Sequence, residues 1–135
     1  MIHEAIHCHQ RAYSTEWQTA CRRAGWTPVA STAIPAEFKS RVRINPDTMA
    51  TPFWAWNSYH VPLPIFRERP RLQNTAIQWL DLRTGSLFHE APPSFVKLYG
   101  AGIHQPEHPY EIYAELFSKK LLTTSDAILE NLTTL

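Results

Sequence analysis

The N-terminal end of the chain has the hydrophobic pattern of a helix. Ile2, Ala5 and Ile6 recur at intervals of three and four positions, and polar residues fill the positions between them. This spacing places the apolar side chains on one helical face. We therefore predict a first helix over about residues 2–12.

A second apolar stripe follows closely and stops at a glycine. Its members are also spaced at three and four positions: Trp17, Ala20, Cys21 and Ala24. Thr15 and Gln18 have the spacing of a capping box, and Gly25 is a natural C-terminal stop. The pattern predicts a second helix over about residues 16–24.

The centre of the chain is rich in proline and predicts extended structure. The sequence has 11 prolines against four glycines, and proline lacks the N–H that regular elements need. Residues 38–44 alternate apolar with basic side chains, as in a half-exposed strand. Residues 52–66 carry large aromatic side chains that we expect to cross the core. Residues 76–82 and 87–90 flank a turn at Gly85, which predicts a β-hairpin.

The C-terminal third returns to a helical pattern. Pro109 suits the first position of a helix, and Glu111 suits its positive end. Residues 123–126 offer polar caps for a last helix, and apolar stripes run through both segments. Together the patterns predict a single-domain α+β protein over residues 1–135. It has helices at both termini and a proline-rich irregular centre with a β-hairpin.

Composition places the chain among globular proteins. It has 135 residues, of which 44% are apolar and 19% are charged, so it is not of the disordered class. No apolar run reaches the roughly 18 residues of a membrane helix, and no secretory signal is visible. Cys8 and Cys21 form no C-x-x-C pair, so we expect reduced thiols, a cytoplasmic protein and no membrane partner.

The most specific motif is HEAIH at residues 3–7, which reads H-E-x-x-H. Two histidines four positions apart project from the same helical face, so His3 and His7 suit two ligands of one Zn²⁺ ion. Glu4 falls beside them, where it suits the general base that takes a proton from metal-bound water. The motif predicts a zinc-dependent hydrolase.

A catalytic zinc site also needs a third protein ligand, and the sequence leaves its identity open. Gluzincin-type sites take a glutamate from a later helix, but Glu16 is too near and no later glutamate stands out. The other candidates for the third ligand are His9, Tyr13, His60, His89 and His104.

The residues after the motif resemble those of the SprT-like (Spartan-like) zinc metallopeptidases, which include short phage and mobile-element members. The resemblance covers residues 3–28, through HEAIH, AYSTEW at 12–17 and GWTP at 25–28. It implies that His3 and His7 bind zinc, that Glu4 is the general base, and that a protein or peptide is the substrate. Those proteins have a third histidine where this chain has Tyr13.

The alternative function is a non-catalytic phage or mobile-element binding protein with a nucleic-acid or protein partner. Residues 1–71 carry a net charge of +4 against −3 for residues 72–135. Basic and aromatic side chains combine phosphate contacts with stacking surface for DNA: Lys39, Arg41, Arg43, Trp54 and Trp56, with Arg67, Arg69 and Arg71 further along. The apolar residues of the last helix predict, as a further alternative, a homodimer through that helix.

Overall fold

The α+β class is confirmed by the computed structural model, which describes residues 1–66 and 75–135. The helices are α1 (Ile2–Ala12), α2 (Ser14–Ala24), α3 (Ala36–Lys39), α4 (Pro93–Tyr99), α5 (Pro109–Lys119) and α6 (Ser125–Leu132). The strands are β1 (Trp26–Pro28), β2 (Trp54–Trp56), β3 (His60–Phe66), β4 (Thr75–Asp81) and β5 (Leu87–Phe88). Short 3₁₀ turns lie at Ser31–Ala33 and Pro46–Thr48. No helix in the described residues is long and apolar enough to cross a membrane.

The two predicted N-terminal helices are present, and one residue joins them. The Tyr13 N–H donates to the His9 carbonyl at 2.8 Å, and the Tyr13 carbonyl accepts from the Trp17 N–H at 3.1 Å. Because the chain turns within one residue, α2 begins at Ser14, earlier than predicted. In this described region no side chain caps its start, so the predicted capping box does not form. Gly25 ends α2 with a φ of 115°.

The C-terminal helices begin where their caps predicted. Pro109 is the first residue of α5, and Nδ1 of His108 accepts the Tyr110 N–H at 3.0 Å. Thr124 Oγ1 accepts the Ala127 N–H at 3.2 Å at the start of α6. Both contacts satisfy backbone donors that have no partner within the helix.

The five strands form one antiparallel sheet in the order β1-β2-β3-β4-β5. The predicted hairpin is β4 with β5, in which Leu80 pairs with Leu87. The centre is more regular than the sequence predicted, because residues 52–66 contribute two strands of this sheet. The predicted strand over 38–44 is wrong: its start belongs to α3, and Val42 forms an isolated bridge to Ile65.

Two prolines lie inside β3 without breaking its pairing with β4. The Pro64 carbonyl accepts the Arg43 N–H at 2.7 Å, and the Phe66 N–H donates to the Arg41 carbonyl at 2.9 Å. Even-numbered residues of β3 therefore direct their backbone polar groups away from β4. Pro62 and Pro64 occupy such positions, so their missing N–H groups cost no hydrogen bond to β4.

The two faces of the sheet bury different sets of side chains. One face packs against the helices, including Phe95 of α4, through large aromatic residues: Trp26, Trp54, Trp56 and Trp79. The other face packs against the loops before β2, including Ile34, through smaller residues: Ala55, Val61, Leu63, Ile65 and Leu80. This double burial explains why strand residues of the centre are apolar at nearly every position.

Helix α6 packs on α2 of the same chain. Its apolar residues Ile128 and Leu132 are 4% and 3% exposed, and Arg23 donates to the Leu132 carbonyl at 3.1 Å. These two residues are therefore covered by the chain itself. They are among the apolar residues from which a homodimer was predicted.

Candidate metal centre

Three metal-ligating side chains converge between α1 and α5. His3 Nε2 lies 3.1 Å from His7 Nε2 and 3.2 Å from Glu111 Oε2. His7 Nε2 lies 3.3 Å from Glu111 Oε1. One ligand atom from each residue lies within 4.8 Å of the other two, so the group could hold a metal ion.

Local structure explains how each side chain reaches this point. His3 and His7 are one helical turn apart on α1, on the side that packs against α5. Glu111 lies in the first turn of α5, which His108 and Pro109 start. Helix N-termini favour negative charge because their free N–H groups point toward it, so the fold supports an ionised carboxylate here.

The electrostatics of the pair between His7 and Glu111 favour opposite charges. Burial lowers the pKa of His7, but hydrogen bonds to Glu111 and Gln10 outweigh burial and raise it. Burial raises the pKa of Glu111, but His7, Asn45 and His3 outweigh burial and hold the pKa at about 2. Glu111 is therefore an ionised acceptor at neutral pH, the form that binds a cation.

Two neighbours orient His7 and Glu111. Gln10 Nε2 donates to the Tyr110 carbonyl at 2.9 Å, so Gln10 Oε1 faces His7 Nδ1 at 2.7 Å. Nδ1 of His7 must then carry a proton, which directs Nε2 toward His3 and Glu111. Asn45 donates to Glu111 Oε1 at 2.8 Å. Such outer contacts fix ring and carboxylate orientation in metal sites.

Glu4 is exposed and lines the same cleft as the three converging residues. The cleft has a volume of about 250 Å³. Arg43 also lines it, and this side chain is paired with Glu107 at 2.7 Å. The cleft thus places a solvent-accessible carboxylate beside three side chains that could ligate a metal.

The other candidates for the third ligand lie elsewhere. His9 faces α2 and α6, where Nδ1 accepts from Trp17 Nε1 at 3.0 Å and Nε2 lies 3.1 Å from Ser125 Oγ. Tyr13 stacks on the His9 ring. His60 and His89 line a separate cavity beside β4 and β5. His104 is exposed and pairs with Glu115 at 2.8 Å.

Among the described residues of the nucleic-acid alternative, Lys39 and Arg43 line one pocket, whereas both tryptophans are buried. Trp54 and Trp56 are 1% and 4% exposed, so neither offers a free face for base stacking. Lys39 donates to the Ser31 carbonyl, and Arg41 donates to the Phe66 carbonyl. Arg43 lines the cleft that His3, His7 and Glu111 also line. The remaining basic residues of that alternative, Arg67, Arg69 and Arg71, lie outside the described residues.

Glu111 is the residue that sequence reasoning missed. The sequence did mark it as an acidic residue at the positive end of a later helix, and gluzincin-type sites take their glutamate from a later helix. That signal alone did not single it out, because nothing in the pattern shows which helix packs against α1.

Comparisons with family models, with curated proteins and with solved structures find no match to this chain.

Proposed function

We propose that the protein is a zinc-dependent metallopeptidase in which His3, His7 and Glu111 bind Zn²⁺. The observation that carries the proposal is the convergence of a buried, ionised carboxylate on the two histidines of H-E-x-x-H. Two histidines and one glutamate are a ligand set of catalytic zinc sites, and they leave a fourth position for water or substrate.

The proposed chemistry uses residues that line one cleft. Bound Zn²⁺ would supply a water of lowered pKa and polarise the scissile carbonyl. Glu4 then takes the proton of the attacking water and passes it to the leaving amine. Gln10 holds His7 with Nε2 toward His3 and Glu111, and Asn45 holds the Glu111 carboxylate.

The SprT-like resemblance supports the same reaction through the shared H-E-x-x-H. We propose that Glu111 supplies the third ligand, for which those proteins use a histidine at the position of Tyr13. We also propose a cytoplasmic setting, which the two free thiols of Cys8 and Cys21 support.

Metal content tests the ligand set. Purified protein should bind one zinc ion per chain by elemental analysis, and His7→Ala should lose it. His89→Ala is the matched control, because His89 lies outside the cleft. Wild-type protein that binds no zinc, or equal zinc in wild type and His7→Ala, would contradict the proposal.

Peptide cleavage tests the catalytic role of Glu4. Glu4→Gln should keep its zinc and lose about 10²- to 10⁴-fold in hydrolysis of a mixed peptide library, the usual contribution of a general base. Glu130→Gln, an exposed glutamate on α6, should change neither quantity. Full hydrolysis by Glu4→Gln would remove Glu4 from the mechanism.

A further inference from the structure

An apolar pocket lies directly beside the metal cleft. Its volume is about 280 Å³, just below the range of about 300–1,000 Å³ found for pockets that hold whole small molecules. Val42, Phe53 and Pro64 line its interior, and Ile44 and Met49 line it as well. A pocket of this size and composition suits one apolar side chain.

One short segment forms the wall between the pocket and the cleft. Arg43, Ile44 and Asn45 line both cavities. The Arg43 N–H is bonded to the Pro64 carbonyl at 2.7 Å, and the Asn45 amide is bonded to Glu111 at 2.8 Å. Because the wall is tied to β3 on one side and to a proposed ligand on the other, the pocket has a fixed position relative to the metal centre.

The pocket exposes apolar side chains, and its charged lining residues are Lys39, Arg43 and Glu107. Ile44 is 71% exposed and Met49 is 61% exposed, so an incoming apolar group would remove both from water. The guanidinium of Arg43 is paired with Glu107 at 2.7 Å. Lys39 also lines the pocket, and its Nζ donates to the Ser31 carbonyl and hydroxyl. Both cations therefore already have partners within the protein, and an uncharged side chain would disturb neither of them.

We propose that this pocket is the specificity subsite of the peptidase and takes a Leu- or Phe-sized apolar side chain next to the scissile bond. The inference rests on the proposed function, since the metal centre defines where the scissile bond lies. It adds the substrate class: peptides with a large apolar residue beside the cleaved bond.

Cleavage kinetics test the preference. With zinc-loaded protein, peptides that carry Leu or Phe beside the cleaved bond should exceed Ala or Glu peptides by about 10- to 100-fold in kcat/KM, as expected for burial of one apolar side chain. Met49→Lys should abolish most of this preference and keep the zinc. Leu98→Lys is the matched control, because Leu98 is 59% exposed and lies on α4. Equal cleavage of all peptides, or a preference for Glu, would overturn the inference and leave the metal proposal standing.

A binding measurement tests, without any catalysis, whether the pocket takes an apolar side chain. The chain has two methionines, so in methyl-labelled protein Met49 reports on the pocket and Met1, which is 99% exposed, serves as an internal control. N-acetyl-leucine amide at millimolar concentration should shift the Met49 methyl resonance, and N-acetyl-glycine amide should not. A protein that neither binds zinc nor cleaves peptides would contradict the metallopeptidase proposal. A shift of the Met49 methyl resonance with the leucine probe alone would still support an apolar pocket in that case. An unshifted Met49 with both probes would overturn the pocket.

Discussion

His3 Nε2 lies 3.2 Å from Glu111 Oε2, although 108 positions separate the two residues in the chain. The contact exists because α1 packs on α5, so that the first turn of α5 lies beside the histidines of α1. Two of the three proposed ligands are thus local to α1 and follow from helical spacing. The third, Glu111, is brought there by tertiary packing, and it decides whether the motif can hold a metal.

Glu111→Gln should weaken zinc binding by at least about 100-fold. The amide has nearly the same shape but lacks the charge that binds the cation, and even changes in outer partners of metal ligands cost about 10- to 100-fold in affinity. Competition with a chromogenic zinc chelator measures the dissociation constant.

Glu115→Gln provides the matched control, because Glu115 lies one turn further along α5 and pairs with His104. Its zinc affinity should equal that of the wild type. If Glu111→Gln also binds zinc as tightly as the wild type, Glu111 is not the third ligand.

Helical periodicity and caps predicted both ends of the fold because they are local signals. The boundaries of α1 follow the stripe of Ile2 and Ile6, and α5 begins at Pro109 as its cap predicted. Helix α4 was not predicted, because it begins at Pro93 directly after the predicted hairpin. Proline at such a position both stops one element and starts another.

Apart from the hairpin of β4 and β5, the sheet depends on long-range contacts, as does the third member of the cluster, so the sequence could not reveal them. The prolines of β3 fit only because its even-numbered residues face the segment at 41–43 rather than β4. Likewise, His9 looks like a candidate ligand by its spacing to His7. In the fold it is held by Trp17 and Ser125 instead.

Gln10→Met should lower zinc affinity by about 10- to 100-fold, the usual effect of losing an outer partner. Methionine has a similar size, but it cannot accept the Nδ1–H of His7 or donate to the Tyr110 carbonyl. The His7 ring then loses the contact that selects its tautomer. Chelator competition below the melting temperature measures the effect, and an unchanged affinity would show that Gln10 does not position His7.

Gly25→Ala should lower the free energy of unfolding by about 2–4 kcal/mol, from a left-handed backbone and a close contact. Gly25 has a φ of 115°, and an added Cβ would lie 3.0 Å from Cζ3 of Trp56. Gly85→Ala is the control, since its φ is also positive but no atom lies within 4 Å of the new Cβ. Denaturant unfolding of both variants should show the larger loss for Gly25→Ala; equal losses would exclude the contact with Trp56.

The buried His108 should make the protein less stable as the pH falls from about 6.5 to about 4. Burial lowers the pKa of His108 from 6.5 to about 4, so in this range the unfolded chain binds a proton that the folded chain does not. The free energy of unfolding therefore falls with decreasing pH, by up to about 1.4 kcal/mol per pH unit from this group. Denaturant unfolding of zinc-free protein at several pH values measures the slope.

His108→Asn isolates this contribution, because asparagine also accepts at a helix N-cap but does not titrate. In the wild type, Nδ1 accepts the Tyr110 N–H and Nε2–H donates to the Thr51 carbonyl at 2.6 Å. Protonation would place a hydrogen on Nδ1 and break the first of these contacts. The variant loses the ring that packs beside Trp54, so it should be less stable throughout but lose less stability on acidification. Equal slopes in the two proteins would mean that folded His108 binds its proton as readily as the unfolded chain.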